Sequence, residues 1–434
     1  MSHLGSLCFL KREKCGVQHQ RVVYMVDFDV IVIGAGPAGC MSAIQASKNG
    51  HKVLIIERNE KIGKKLYITG KGRCNLTNDS CLQTHLDNII NGKKFMYSSL
   101  NAFSPNDLME FFSSRGLNLK VERGNRVFPT SDKSSDVIKV LSQELIKLNV
   151  EIAFNTKVES VKKINNIFHI KCEGGISYTS NCVIIATGGK SYVTTGSDGI
   201  GYVLATSFNH SIVEPMPALI PLILNEDVLS LEGLSLKNVT ASIEINGKIV
   251  ASEFGEMLFT NEGVSGPIVL TMSSKINRLD LTQAKFIIDF KPSLDKQTLT
   301  NRLIRDFELN PKMQLKTYLK TLLPMSFIPY FVKKLNVEDI RLCEINKNLR
   351  ETIISLLKRF DFSIKSLDTI NKAIITSGGV STKEINPKTM ESKLVDNLYF
   401  AGEILDVDAL TGGFNLQIAF STGYLAGSNI TRLK

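Results

Sequence analysis

Residues 27–57 carry an apolar strand, a glycine turn, a helix-compatible stretch, a second apolar strand and an acid in unbroken order. The run at 30–33 is wholly apolar, as a strand buried in a parallel sheet requires. Gly34, Gly36 and Gly39 follow in a G-x-G-x-x-G pattern, with Pro37 and Ala38 between them and Pro37 suited to the first helical position. A second apolar run at 53–56 ends in Glu57 and Arg58. In such a unit the glycines allow a tight turn, close backbone approach to a pyrophosphate and close packing of helix on strand. The open N–H groups of the helix start hold the phosphate charge, and the acid accepts hydrogen bonds from ribose hydroxyls. A glycine pattern alone also fits a turn in an ordinary α/β unit. The ordered set of five features predicts a dinucleotide site.

The rest of the chain narrows the class. A length of 434 residues allows two or three domains, and 43% hydrophobic with 22% charged residues is an ordinary globular composition. The uncharged stretch 30–44 is rich in glycine and is no membrane span. The eight cysteines form no C-x-x-C pair and the six histidines no H-x-x-x-H, so no metal site is predicted and a reducing cytoplasm fits best. Residues 1–26 hold four basic residues, one acid and a short apolar patch at 7–10, which is no secretory signal. Because Met25 stands just before the first strand, the first 24 residues read as a disordered extension or a misassigned start. The net charge of +10 is uneven, since residues 291–365 hold 15 Lys or Arg against 8 Asp or Glu. That local excess either steers an anionic ligand or nucleic acid or is a solvated helical face.

After the opening unit, helices are expected around 106–115 and 134–148 and strands at 151–155, 156–162 (including Val158) and 168–172. An apolar strand from Cys182 runs into Ala186, Thr187 and Gly188, which suit the far side of the same sheet near the nucleotide. Beyond residue 207 the texture changes. Alternating segments at 235–245, 248–253, 257–260 and 286–290, with an Asn246-Gly247 hairpin signal, predict a small antiparallel barrel or sandwich. Residues 294–360 turn helical, with Leu303, Phe307, Leu315, Leu319 and Leu322 at helical spacing. The expected class is therefore α/β. A Rossmann-like nucleotide domain (27–207 and 366–434) is interrupted by a β-barrel insert (208–293) and a helical insert (294–365).

A nucleotide domain that opens with the glycine motif and closes at the carboxyl end favours FAD over NAD. Gly402 lets the backbone approach the ligand and Glu403 can accept or relay hydrogen bonds there. Gly412 and Gly413 lead into a helix from about residue 415, and the amides of Asn415, Leu416 and Gln417 then face the pyrimidine edge of a flavin. The partial positive charge of that helix start favours reduced flavin. An ordinary glycine-rich cap on a terminal helix would read the same way. Lys64, Lys65, Lys71 and Arg73 place four cations within ten residues, which repel one another unless anions are near. The loop either reaches phosphate or flavin, or is a solvated basic loop. Cys74 reads as a packing or flavin-wall residue rather than a redox thiol, and Asp198 as a turn residue rather than a base.

The string GKKLYITGKGRCNLTN from Gly63, which includes Gly72, Arg73, Cys74 and Asn75, resembles the signature of a bacterial FAD-binding family. Its members are labelled aminoacetone oxidase-type or bile-acid-reductase-like NAD(P)/FAD-dependent oxidoreductases. RVFP at Arg126, ATGGKSY at Ala186, GEMLFT at Gly255, TSGGV at Thr376, FAGEILDVD at Phe400 and GGFNLQ at Gly412 match as well. The resemblance runs from about residue 27 to the end. It implies an FAD-binding Rossmann-like domain with a barrel-plus-helical insert. Phe414 stands where a tyrosine is common and Ile418 where a tryptophan is common, and both bear on substrate preference.

The expected activity is that of a cytoplasmic FAD-dependent oxidoreductase. It would move an electron pair from a small substrate or NAD(P)H to oxygen or an unsaturated acceptor, at a cleft between nucleotide domain and insert. No second G-x-G-x-x-G follows a downstream strand, so a dedicated NAD(P)H domain is not expected, and transient nicotinamide binding stays open. No residue stands out as general acid or base. A flavoprotein that docks RNA through its basic helical insert, and a flavin-binding module without turnover, are the alternatives.

Overall fold

The computed structural model describes residues 27–337 and 340–430. The reading of residues 1–26 falls outside the described residues. β1 (Phe28–Ile33), α1 (Pro37–Lys48) and β2 (Val53–Ile56) form where the glycine motif predicts them. β1 lies between β2 and the strand Ser177–Ile185, parallel to both, and Leu398–Phe400 joins the far side of that third strand, again parallel. Glu151–Ala153 flanks β2 in the same sense. Val30, Ile31 and Val32 are fully buried. Burial of each such side chain is worth about 1.5–3 kcal/mol. The hairpin of Val158–Ile164 and Ile167–Cys172 extends the sheet on the other side in antiparallel fashion.

The terminal helix Phe414–Ser428 packs along α1 at very short range. A Cβ added to Gly423 would lie 2.3 Å from the Ala38 carbonyl oxygen, and one on Gly427 would lie 2.2 Å from that of Ser42. Only glycine at both positions permits this approach. It carries the start of the terminal helix to the start of α1.

Two antiparallel strands, Ile212–Ala218 and Ile375–Val380, lead into and out of the insert. The insert is a closed barrel of six strands: Leu222–Leu224, Ser235–Ile245, Lys248–Phe259, Gly263–Ser265, Lys285–Asp289 and Phe360–Leu367. The expected division at 293 and 365 needs correction. The helical segment is nested between the last two barrel strands, and the closing strand runs across residue 365. Closure demands it, because Leu222–Leu224 would otherwise leave an open edge. Helices and barrel share one core: Phe327 meets the Phe360 ring edge-on and Phe331 stacks on it, with ring centroids 5.1 and 5.9 Å away.

The helices expected at 106–115 and 134–148 run Pro105–Ser113 and Ser134–Lys147. The first begins at Ser104, whose capping box with Asp107 satisfies two end groups. Within the cation-rich segment that follows β2, α2 (Lys64–Ile68) forms a short helix.

Candidate functional site

The cleft at the carboxyl ends of the parallel strands is assembled from two helix starts. α1 begins at Gly36 and the terminal helix at Gly413. Neither cap residue makes a side-chain capping hydrogen bond, and neither first turn holds an acid. Their first-turn N–H groups, with the positive ends of both helix dipoles, are left for an anion or for electron-rich ligand atoms. The glycines divide into two roles. A Cβ on Gly39 would sit 1.9 Å from the Gly34 carbonyl oxygen, so this glycine packs the helix on its own turn. A Cβ on Gly36 would meet nothing within 4 Å, so that backbone faces open cleft. Gly413 has φ of 99°, and a Cβ there would lie 2.3 Å from Thr77 backbone atoms.

The cleft encloses about 1740 Å³ including its mouth. Gly34, Gly36, Pro37, Ala38, Glu57, Arg58, Lys64, Lys65, Asn75, Val158, Ala186, Thr187, Gly188, Gly402, Glu403, Gly413, Asn415 and Leu416 all line it. Glu57 is held rigidly: one carboxylate oxygen accepts the Ala35 N–H at 2.8 Å and the other accepts the backbone and side-chain N–H groups of Asn59 at 2.8 and 2.7 Å. A carboxylate offers about four lone-pair positions, so acceptor capacity remains for a ribose. Arg58 pairs with Asp198, whose other oxygen accepts the Ile200 N–H at 3.1 Å. Asp198 is thus tied up in a turn and an ion pair. The Asn415 side chain clamps the turn before its own helix, accepting from Ala409 N–H at 3.0 Å and donating to Ala409 O at 2.7 Å. Ile418 also lines the cleft, whereas Phe414 turns edge-on to His85.

Five expected contacts lie outside the lining: Gly39, Gly72, Arg73, Cys74 and Gln417. Gly39 is spent on packing. The Arg73 guanidinium binds Glu122 at 2.5 Å and Asp132 at 2.6 Å and lies 4.2 Å over the Phe128 ring, which holds it outside the cleft and offsets its charge. Gly72, beside it, follows the same turn away from the cleft. Cys74 is fully buried and its thiol is pushed up to about 12 by burial, which suits packing and excludes a reactive thiolate at neutral pH. The Gln417 N–H already donates to Gly413 O at 3.1 Å, as the fifth residue of a helix start must, and its side chain binds Thr77, Phe103 and Ser421 inside the core. Helix geometry therefore leaves Asn415 and Leu416, not Gln417, with free amides.

Sequence reasoning missed Asn59, Ser197, Leu219, Ile374 and Ile375, which also line the cleft. Asn59 had a findable signal, a polar side chain two residues beyond the strand-ending acid. Leu219, Ile374 and Ile375 had none, since they meet only because the two linkers to the insert pair with each other.

Open backbone at Gly36, two uncapped helix starts and a fixed acid at the end of β2 form a cradle that fits a dinucleotide spanning both helix starts. Residues 28–429 match the HI0933-like protein Rossmann domain. The chain is 32% identical over 405 residues to the 3-dehydro-bile acid delta(4,6)-reductase of Clostridium scindens, covering 91% of this chain and 97% of that protein. It is 29% identical to the ribosomal RNA dihydrouridine synthase of Haemophilus influenzae, over 93% of this chain and 98% of the relative. The enzyme of the same description from Escherichia coli is also 29% identical, over 94% and 100%. A bile-acid reductase thus stands among these relatives, and none of the three is an aminoacetone oxidase. The chain belongs to the HI0933-like Rossmann family and is an FAD-dependent oxidoreductase.

Proposed function

We propose that the chain reduces a carbon–carbon double bond conjugated with a carbonyl group in a small molecule, with NAD(P)H as electron donor. The observation that carries this reading is the chemistry of the insert end of the cleft. Leu219, Ile374 and Ile375 line it there, and the ionisable lining groups that reach this end, Lys65 and Glu403, are paired with each other. An apolar wall of this kind suits the faces of a planar, weakly polar acceptor better than a charged amine. The names of two relatives support the same reaction class, because a delta(4,6)-reductase removes a double bond and a dihydro product is one in which such a bond is saturated.

FAD supplies hydride chemistry when bound. The protein's part is to bind and orient. The start of α1 holds the phosphates, Glu57 and Asn59 the adenosine ribose, and the amides of Asn415 and Leu416 the far end of the cofactor. Cys40, behind the first turn, has its thiol pushed up to about 12 by burial first and by the nearby Glu57 second, so it adds no competing thiolate. All six described cysteines are unbridged, which supports a reducing compartment such as the cytoplasm. Among the described residues no helix is long and apolar enough to cross a membrane.

The test is anaerobic. NADH or NADPH should bleach the bound flavin, an enone should restore the yellow colour, and the product should gain two mass units. Bleaching by amines, with enones unable to restore the colour, would overturn the reading.

A second reading, in which the acceptor sits in RNA, is favoured by the basic insert. Lys312, Lys316 and Lys320 are exposed at four-residue spacing and form no ion pair among the described residues. Two of the relatives carry a ribosomal RNA activity in their names. Gel shifts with ribosomal RNA should weaken steeply with salt, and absence of binding at low salt dismisses this reading.

A further inference from the structure

We propose that Lys65 is a positioning residue that latches the cofactor cleft, so that FAD leaves only when its bridge to Glu403 opens. Lys65 stands on α2 and Glu403 follows the strand Leu398–Phe400, 338 positions away in sequence, yet both line the cleft. Lys65 Nζ donates to Glu403 Oε2 at 2.7 Å and to Ser191 Oγ at 2.7 Å. The Ser191 hydroxyl donates onward to Glu403 Oε1 at 3.1 Å, and that oxygen also accepts the Thr376 N–H at 2.9 Å. Four segments, remote in sequence, therefore meet at one carboxylate.

Two features set this bridge apart from the other cations nearby. First, its side chains are only 21% and 22% exposed, so solvent screens it incompletely and its charge-assisted bonds are strong. The neighbouring Lys64 reaches the Asn59 side-chain oxygen and the exposed Glu60, each at 3.3 Å, and Arg73 is fixed outside the cleft. Second, both anchors are stiff. The loop after α2 is pinned by Arg73 to Glu122 and Asp132. Glu403 is pinned by Thr376, which lies on the strand that returns from the insert. Both members of the pair line the cleft that a ligand touching both helix starts would fill, and their bridge ties α2 to the segment after Leu398–Phe400. In the proposed latch the ligand escapes when the pair parts, and Thr376 couples that parting to the seat of the insert.

The experiment follows FAD release from the purified holoprotein after dilution, by the rise in free FAD fluorescence, with no substrate present. Lys65→Met should release FAD about tenfold faster, the loss expected for one charge-assisted hydrogen bond. Lys65→Arg should stay near the wild-type rate. Salt near 1 M should accelerate wild-type release by a larger factor than that of Lys65→Met, because the variant lacks this bridge while the other ion pairs of the cleft remain in both. Ser191→Ala, a smaller change, should accelerate release to a lesser degree, and it carries the test together with the salt series if Lys65→Met fails to fold. Release from Lys65→Met at the wild-type rate, or equal rates for the Met and Arg variants, overturns the latch. Since no acceptor is used, that failure leaves the double-bond reading untouched, and a failed enone assay leaves the latch untouched.

Discussion

Gly36 and Gly39 stand three residues apart in one motif, and the structure assigns them opposite thermodynamic signatures. In Gly39→Ala the new Cβ would lie 1.9 Å from the Gly34 carbonyl oxygen, so α1 must retreat by about 1.5 Å to reach ordinary contact near 3.4 Å. Overpacking of that kind costs about 1–3 kcal/mol or more, and the gain in helix propensity returns at most about 1 kcal/mol. A net loss of about 2 kcal/mol should lower the thermal midpoint of the FAD-free chain by roughly 2–4 °C, because the unfolding entropy of a chain of 434 residues is large. Gly36 has φ −77° and ψ −178°, extended backbone that alanine adopts freely, and its Cβ meets nothing within 4 Å. Gly36→Ala should therefore leave the FAD-free chain within about 0.5 kcal/mol of wild type. It should weaken FAD by at least about tenfold, or about 1.4 kcal/mol, because the methyl group fills space the cofactor needs. The assay pairs thermal unfolding of the FAD-free chain with titration of FAD by flavin fluorescence. Wild-type affinity in Gly36→Ala would refute the claim that the cofactor approaches this backbone. An unchanged midpoint in Gly39→Ala would refute the packing claim.

Arg73→Gln should lower the thermal midpoint and leave FAD affinity unchanged, since its partners are Glu122 and Asp132 and not the cleft; a tenfold loss of FAD affinity by titration would restore Arg73 to the cofactor. Cys74 should resist alkylation at pH 8 in the native chain while the exposed Cys81 and Cys343 react, as peptide mass mapping can check. Asp408 is 1% exposed with one oxygen unpartnered, and burial, ahead of the opposing hydrogen bonds from Asn91 and Ser377, holds its carboxyl above the usual range. The folded chain keeps a proton there that the unfolded chain loses near pH 4, so stability falls as pH rises from about 4 through the raised value. Asp408→Asn removes that fall, and its stability relative to wild type, read from urea midpoints, should grow from pH 4 to 7; a constant difference would show that Asp408 ionises normally.

How much of this was legible in the sequence follows the range of the interactions. The β1–α1–β2 unit was legible because its determinants sit within thirty residues and every glycine answers to a neighbour in that window. The Lys64–Arg73 cluster was harder to read. Clustered cations call for anions, and three of the four, Lys64, Lys65 and Arg73, meet the protein's own Glu60, Glu403, Glu122 and Asp132. Only Glu60 is close in sequence, so a phosphate was the natural guess from composition. The closing barrel strand carried a signal that was overlooked: Phe360, Phe362 and Ile364 alternate and are all buried. The helical spacing of the residues before it masked the change of period.

The two ends of the cleft differ in kind, and the difference explains why the cofactor could be read and the substrate could not. The cofactor end depends on backbone: glycines, uncapped helix starts and the close approach of Gly423 and Gly427 to Ala38 and Ser42, which locks the terminal helix onto α1. Backbone geometry of that sort admits few residue types, so it leaves a strict pattern in the chain. The proposed substrate end depends on side chains of two linkers, Leu219 on one and Ile374 and Ile375 on the other, more than 150 positions apart. Any apolar residue of similar size would make that wall, so nothing in the sequence marks these three. Substrate preference within such a family can therefore change by substitutions at the linkers while every FAD contact stays in place.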